Sequence, residues 1–158
     1  ISKHPRARVV LTRPIVAADE DMGYLPGDMD QKMEPWTRPM YDIFEQSMTH
    51  NQMDRCISIE PLGYMRGRTF HHTLIIADEM QNSTPNQMKL LLTRIGEGTK
   101  IVVTGDLEQS DLEGDNGLEN LVYKMQCTEL DYIQHVEMGD DDIVRHPAVK
   151  EVLGILSK

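Results

Sequence analysis

The stretch HTLIIADEMQ, His72 to Gln81, decides how this chain folds. Thr73 to Ala77 is short, apolar and rich in β-branched residues, as suits a strand buried on both faces of a parallel sheet. Asp78 and Glu79 stand where that strand should end. Open α/β sheets bind ligands beyond the carboxyl ends of their strands, so an acidic pair there lies at the usual ligand crevice. In nucleotide hydrolases an Asp at this place holds Mg²⁺, and a neighbouring Glu orients or deprotonates the attacking water. A buried strand must also end in something polar, so the pair alone leaves both readings open.

Working outward, the same chemistry recurs. KIVVTGDLEQ, Lys100 to Gln109, sets Thr104, Gly105, Asp106 and Gln109 just beyond another apolar strand. A glycine there lets backbone amides approach a phosphate, and Asp106 and Gln109 can hydrogen-bond the phosphate or its attacking water. A third strand, Arg8 to Thr12, ends in Thr12-Arg13-Pro14, which offers a hydroxyl and a guanidinium. Each of these alone reads equally well as a polar loop. Three on one edge of one sheet is a pattern.

Between these strands the apolar period changes to that of helices. Trp36, Met40, Ile43, Phe44 and Met48 predict a helix from about Pro35 to His50, and Cys56–Glu60 predicts a short strand before a turn over Gly63–Gly67. Helical spacing makes Trp36, Tyr41 and Phe44 core residues rather than base-stacking ones. Thr84, Pro85 and Gln87 form a helix start with a capping box. Met88, Leu91, Leu92 and Ile95 give the buried stripe, and Gly96 the stop. Leu118, Leu121, Val122 and Met125 mark a further helix, Tyr132–Glu137 a weakly alternating strand, and Pro147 the start of a last helix. This alternation predicts one α/β domain, residues 1–158, with a parallel sheet and right-handed crossovers.

Composition narrows the function classes. The net charge of −10 argues against a general nucleic-acid-coating protein. The acid is concentrated late: from Ile101 onward there are 4 basic and 13 acidic residues, against 12 and 13 before it. Lys3, Arg6, Arg8 and Arg13 cluster early, and Arg66 and Arg68 flank Gly67, so a local track for phosphates is compatible with the acidic total. No apolar run approaches the ~20 residues of a membrane-spanning helix, and the first residues form no signal peptide. Cys56 and Cys127 lack metal-ligand spacing and read as reduced, partly buried thiols of a cytoplasmic protein. His71-His72 lacks a third ligand and reads as a strand-edge pair.

Four segments in order, LTRPIVAADEDMGYLPGDMDQKMEPWTRPMYD, PLGYMRGRTF, IIADEMQNSTPNQMKLLLTRIGEGTKIVVTGDLEQSDL and DDIVRHPAVKEVL, closely resemble the PhoH family, P-loop NTPases related to superfamily 1 helicases. The specificity lies in TRP, LPGD, RGRT, DE-x-Q-N-x-T, LTRIG-x-G, TGD-x-x-Q and VRHP occurring together. The resemblance implies a RecA-like P-loop NTPase domain, a parallel sheet flanked by helices, with ATP and Mg²⁺ as cofactors. It assigns Asp78 to Mg²⁺, Glu79 to the catalytic water and Gln81 to the DE-x-Q extension at the nucleotide site. Thr104, Gly105 and Asp106 fall on the third helicase-like motif, with Gln109 reading the γ-phosphate. Thr12 and Arg13 resemble a motif that contacts single-stranded nucleic acid in relatives. Arg66, Arg68 and Arg145 are candidate phosphate contacts, with Arg145 as an arginine finger across a subunit interface; Arg145 read plainly is a surface partner of Asp140–Asp142. Single-stranded RNA, a homo-oligomeric ring such as a hexamer, and an association with phosphate starvation or bacteriophages follow from the resemblance alone.

One departure matters. No G-x-x-x-x-G-K-[ST] occurs in these residues. In the family that loop precedes the strand ending in Thr-Arg-Pro. The expectation is therefore a domain truncated at its N-terminus, lacking the first strand, phosphate loop and first helix, and inactive by itself. Two other readings remain: a non-catalytic RNA-binding or assembly module that has lost its P-loop, and a metal-dependent phosphoesterase using Asp78, Glu79 and Asp106 directly.

Overall fold

A computed structural model describes residues 8–14, 38–112, 114–139, 142 and 147–156. Among these residues four parallel strands form one sheet in the order β2-β1-β3-β4, with β1 Arg8–Thr12, β2 Ile57–Ile59, β3 Thr73–Ala77 and β4 Lys100–Val103. β1 lies between β2 and β3, in register Leu11 with Ile59 and Thr12 with Ala77. β4 pairs with the other side of β3, Ala77 opposite Val103. The chain thus adds β2 on one side of β1 and β3 then β4 on the other. The order reverses between β1 and β3, a switch point of the kind at which α/β sheets bind ligands.

Alternation along these strands separates two cores. Val10, Ile75 and Ala77 face one layer with Leu62, Met65, Phe70, Met80, Met88 and Leu91. That layer holds α2 (Pro85–Leu92), and Leu118 and Leu121 of α3 (Gly117–Gln126) pack at its margin. Val9 and Leu11 face the other layer with Ile57 and with Met53 of α1 (His50–Cys56). Met40, Tyr41, Phe44 and Met48 close over it, Tyr41 and Phe44 packing in the core as their spacing predicts. Trp36 lies outside the described residues. Fully burying each such Leu, Ile or Met contributes about 1.5–3 kcal/mol, so both layers are needed to hold the sheet between them. A last helix, α4, spans Pro147–Leu156. Among the described residues no helix is long and apolar enough to cross a membrane.

The helix start predicted at Thr84 is present in full. Thr84 Oγ1 accepts from Gln87 N at 3.2 Å, and Gln87 Oε1 accepts from Thr84 N at 2.8 Å. Other expectations are corrected. The helix predicted over 35–50 is broken: residues 38–45 are helical, residues 46–49 are not, and α1 starts afresh at His50. Thr49 makes the break, donating its backbone N–H to Gln52 Oε1 at 2.9 Å and so favouring a new helix start. Ile43, predicted inside, is 66% exposed.

Helix α2 stops at Leu92, one turn early. The Thr93 hydroxyl bonds back to Lys89 O at 2.9 Å, and Ile95 leaves the helix to bridge Phe70, with 52% of its surface exposed. The strand predicted over Tyr132–Glu137 does not form. All of residues 128–139 are exposed, and Tyr132 is 99% exposed. Its alternation has no described neighbouring strand to answer it. β4, predicted as a buried strand, is a sheet edge among the described residues, with Val102 45% exposed. Cys127 is exposed rather than partly buried, and both cysteines are free thiols.

Candidate functional site

The carboxyl ends of β1, β3 and β4 are bound to one another through the main chain. Asp78 N donates to Thr12 O at 3.0 Å, Thr104 N to Ala77 O at 2.9 Å, and Met80 N to Thr104 O at 3.0 Å. The three polar strand ends singled out in the sequence therefore meet along one rim. This rim includes the switch point between β1 and β3.

At the rim Thr104 Oγ1 lies 2.5 Å from Asp78 Oδ1 and donates to it. The hydroxyl holds the carboxylate in one orientation and occupies one of its oxygens. Both groups are hard oxygen donors, the chemistry that Mg²⁺ prefers. Among the described residues there is no group of three or more His, Cys, Asp or Glu placed to enclose a metal. A site of one or two carboxylates that leaves room for water and phosphate oxygens is the usual form for Mg²⁺. The donor set at Asp78 fits that form.

Glu79 follows in the left-handed region, at φ 54° and ψ 34°. For a residue with a side chain that costs about 1–2 kcal/mol, and it persists only where the surroundings enforce it. Here a short 3₁₀ turn, Met80–Asn82, starts immediately afterwards, and Asn82 N returns to Glu79 O at 3.0 Å. Strand β3 thus ends abruptly, with both carboxylates half-buried at its tip.

Gln81 connects this turn to the next motif. It is 1% exposed. Its Nε2 donates to Glu79 Oε2 at 2.6 Å and more weakly to Gln109 O at 3.4 Å, while its Oε1 accepts from Asp106 N at 3.1 Å. Asp106 in turn caps the 3₁₀ turn Leu107–Gln109, accepting from Glu108 N at 3.0 Å and Gln109 Nε2 at 2.7 Å. Glu79, Gln81, Asp106 and Gln109 are thereby joined in one network, and the Asp78–Thr104 pair lies beside it, tied to it through the main chain by Met80 N donating to Thr104 O. Gly105 lies directly against it: a Cβ there would be 2.7 Å from Gln81 Oε1 and 2.7 Å from Leu118 Cδ2. The absence of a side chain at Gly105 is what lets Gln81 fit under the loop.

The remaining candidates divide. Thr12 is buried, its carbonyl holds Asp78, and its hydroxyl has no hydrogen-bond partner among the described residues. Arg13 is half-buried just beyond it. Arg68 is occupied elsewhere. Its Nη1 pairs with Glu60 Oε2 at 2.6 Å, and its guanidinium lies 4.7 Å from the Phe70 ring centre. Arg66 is exposed, and no described hydrogen bond or ion pair joins either arginine to the acidic network. Arg145 lies outside the described residues. His71 and His72 sit at the opposite end of β3, where His71 Nδ1 accepts from Glu97 N at 3.2 Å.

Sequence reasoning passed over the residues that brace the network from below. Ser110 Oγ donates to Gln81 O at 3.0 Å, Asn82 Oδ1 accepts from Asp111 N at 2.8 Å, and Gly117 N donates to Ser83 O at 2.7 Å. Gln81, Asn82 and Ser83 are all buried. The polar run QNS after the acidic pair was the one signal for them, but it reads as an exposed loop until the loop after β4 is placed over it.

A family model described as PhoH-like protein matches residues 1–157. The chain is 42% identical over 156 residues to a PhoH-like protein of Bacillus subtilis (strain 168), covering 96% of this chain and 49% of that protein. It is 42% identical over 153 residues to a PhoH-like protein of Mycobacterium tuberculosis (strain ATCC 25618 / H37Rv), and 39% identical over 155 residues to Protein PhoH of Escherichia coli (strain K12). Both of these matches cover 92% of this chain and 43% of the relative, so the chain spans less than half the length of these curated relatives.

Proposed function

The chain belongs to the PhoH-like protein family, and from that premise we propose that it carries the metal- and water-handling side of an ATPase that acts with single-stranded RNA. The observation that carries the reading is the Gln81 amide, which joins Glu79 of one strand end to Asp106 and Gln109 of the next. Two polar loops that merely ended strands would have no need of a shared, buried crosspiece. A site that must set a carboxylate against a phosphate-sensing turn does.

In this reading Asp78, steadied by Thr104, would hold Mg²⁺, which when bound would neutralise charge on the phosphates. Glu79 accepts a hydrogen bond from the attacking water and draws off its proton as the bond to the γ-phosphorus forms and the bond to the bridging oxygen breaks, releasing ADP. Gln109 already donates one amide hydrogen to Asp106. An amide nitrogen carries two, so a second is free for a phosphate oxygen. Arg13, half-buried at the end of β1 beside Asp78, is the proposed contact to RNA, and the buried Thr12 shapes that strand end. The ring assembly, with Arg145 reaching a neighbouring subunit, belongs to the same proposal.

The phosphate-cradling signature G-x-x-x-x-G-K-[ST] is not among the 158 residues. In this reading its amides are supplied by residues outside them. The same observation favours a second reading, an RNA-binding or assembly module without turnover. The test is ATP hydrolysis by the protein that carries this chain, with and without Glu79→Gln. We expect kcat to fall by at least about 100-fold, the scale of a lost general base. Turnover that survives the substitution refutes the assignment. RNA retention independent of nucleotide, with no turnover in the unaltered protein, supports the second reading instead.

A further inference from the structure

We propose that Gln81 is a positioning residue that makes the orientation of Glu79 depend on the state of the Asp106–Gln109 turn. This rests on the reading of Glu79 as the water-polarising group.

Burial comes first. At 1% exposure Gln81 is closed off from anything in solvent, so its amide acts on protein groups. A primary amide offers two donor hydrogens and a carbonyl acceptor. Here the nitrogen serves Glu79 Oε2 and Gln109 O, and the oxygen serves Asp106 N. The backbone carbonyl of the same residue accepts from Ser110 Oγ. Gln81 is therefore fixed from both sides of the loop after β4, and it has one contact to pass on, the short bond to Glu79.

The polarity of that bond matters. A neutral donor facing a carboxylate makes a charge-assisted hydrogen bond, about twice as strong as one between neutral groups. It selects one oxygen of Glu79 and leaves the other for water. The left-handed backbone at Glu79 narrows the directions in which that side chain can leave the main chain. Gly105 completes the device by giving the amide its seat, since a Cβ at that position would lie 2.7 Å from Oε1 and push it off Asp106 N. A displacement of the 106–109 turn, such as a phosphate drawing on Gln109, must therefore move the Gln81 amide and with it the Glu79 carboxylate.

The experiment separates positioning from ligand contact. In the protein that carries this chain, Gln81→Met keeps the length and removes the amide, whereas Gln81→Glu keeps an acceptor for Asp106 N and sets a second carboxylate against Glu79. Hydrogen bonds to charged groups contribute about 1.5–3 kcal/mol, so kcat for ATP should fall about 10- to 100-fold in Gln81→Met, and further in Gln81→Glu. KM for ATP should stay within about 3-fold in both, as for a group that leaves ground-state binding alone. A rise in KM at unchanged kcat, or no change in either, overturns the proposal.

A second measurement does not depend on turnover or on a core substitution. With ¹³C-labelled Glu and ¹⁵N-labelled Gln side chains, Gln109→Ala should shift both the Gln81 amide resonance and the Glu79 carboxyl resonance. A Glu79 resonance that stays in place overturns the coupling even if Gln81 variants fail to fold. If the unaltered protein shows no turnover sensitive to Glu79→Gln, the ATPase reading fails by itself, and the resonance shifts still report the coupling.

Discussion

Replacing Gly105 with Ala adds one methyl group at a crowded point of the site. The new Cβ would lie 2.7 Å from Gln81 Oε1, 2.7 Å from Leu118 Cδ2 and 3.0 Å from Gln81 N. Leu118 can turn aside, but the backbone nitrogen of Gln81 belongs to the 3₁₀ turn and cannot move alone. Overpacking of this kind costs about 1–3 kcal/mol. Displacing Oε1 from Asp106 N loses a further ~1 kcal/mol. Against this, alanine restricts the unfolded chain and recovers about 0.4–1 kcal/mol. The expected net loss is about 2 kcal/mol. With a urea dependence of about 1–3 kcal/mol per molar, the unfolding midpoint followed by far-UV circular dichroism should fall by about 1 M. Gly63→Ala is the control, because a Cβ there meets nothing within 4 Å. Shortening the crowded partner tests the cause: Gly105→Ala combined with Gln81→Ala should lose less than the two single changes summed. The sequence alone suggests Gly105 as a place for amides to approach phosphate, which would leave stability untouched and lower only nucleotide affinity. A midpoint within about 0.3 M of the unaltered protein would refute the packing argument and favour that reading, since a loss near 2 kcal/mol cannot hide within such a shift.

Two further outcomes follow from the same geometry. Gly117→Ala should be the more damaging glycine substitution, because its Cβ would meet main-chain atoms, 2.6 Å from Thr84 O and 2.9 Å from Ser83 O. Differential scanning calorimetry should show a larger drop in melting temperature than Gly105→Ala, and an equal or smaller drop counts against the close seating of α3 on the turn before α2. Arg68→Ala should cost about 1 kcal/mol, combining a partly exposed ion pair with a ring contact, and Arg68→Lys should recover part of it. Unchanged stability with weakened RNA retention would instead place Arg68 on a phosphate.

What could be read from the sequence was local. The capping box at Thr84 and Gln87 is complete within four residues, and β1 and β3 carry enough β-branched side chains to declare themselves. Even the three polar strand ends could be set on one rim, because parallel strands all end on the same side. The misreadings arise where a partner from elsewhere in the chain decides the outcome. Ile95 fits a helical stripe, but Phe70 pairs with it and draws it out of the helix. Tyr132–Glu137 alternates like a strand and has no described strand beside it.

Gln81 shows the same limit within the site. Its neighbours Met80 and Asn82 give no hint that it is buried, and a Gln beside two carboxylates suggests a group facing the ligand. Its burial is decided 24 residues later, where Gly105 lacks the side chain that would fill the space. The glycine and the glutamine are therefore one feature recorded at two places in the sequence. The acidic pair Asp78-Glu79 identifies the chemistry on offer at the rim. In the proposed coupling, the Gln81–Gly105 contact is what lets Glu79 and Gln109 act as one responsive unit rather than as two strand ends.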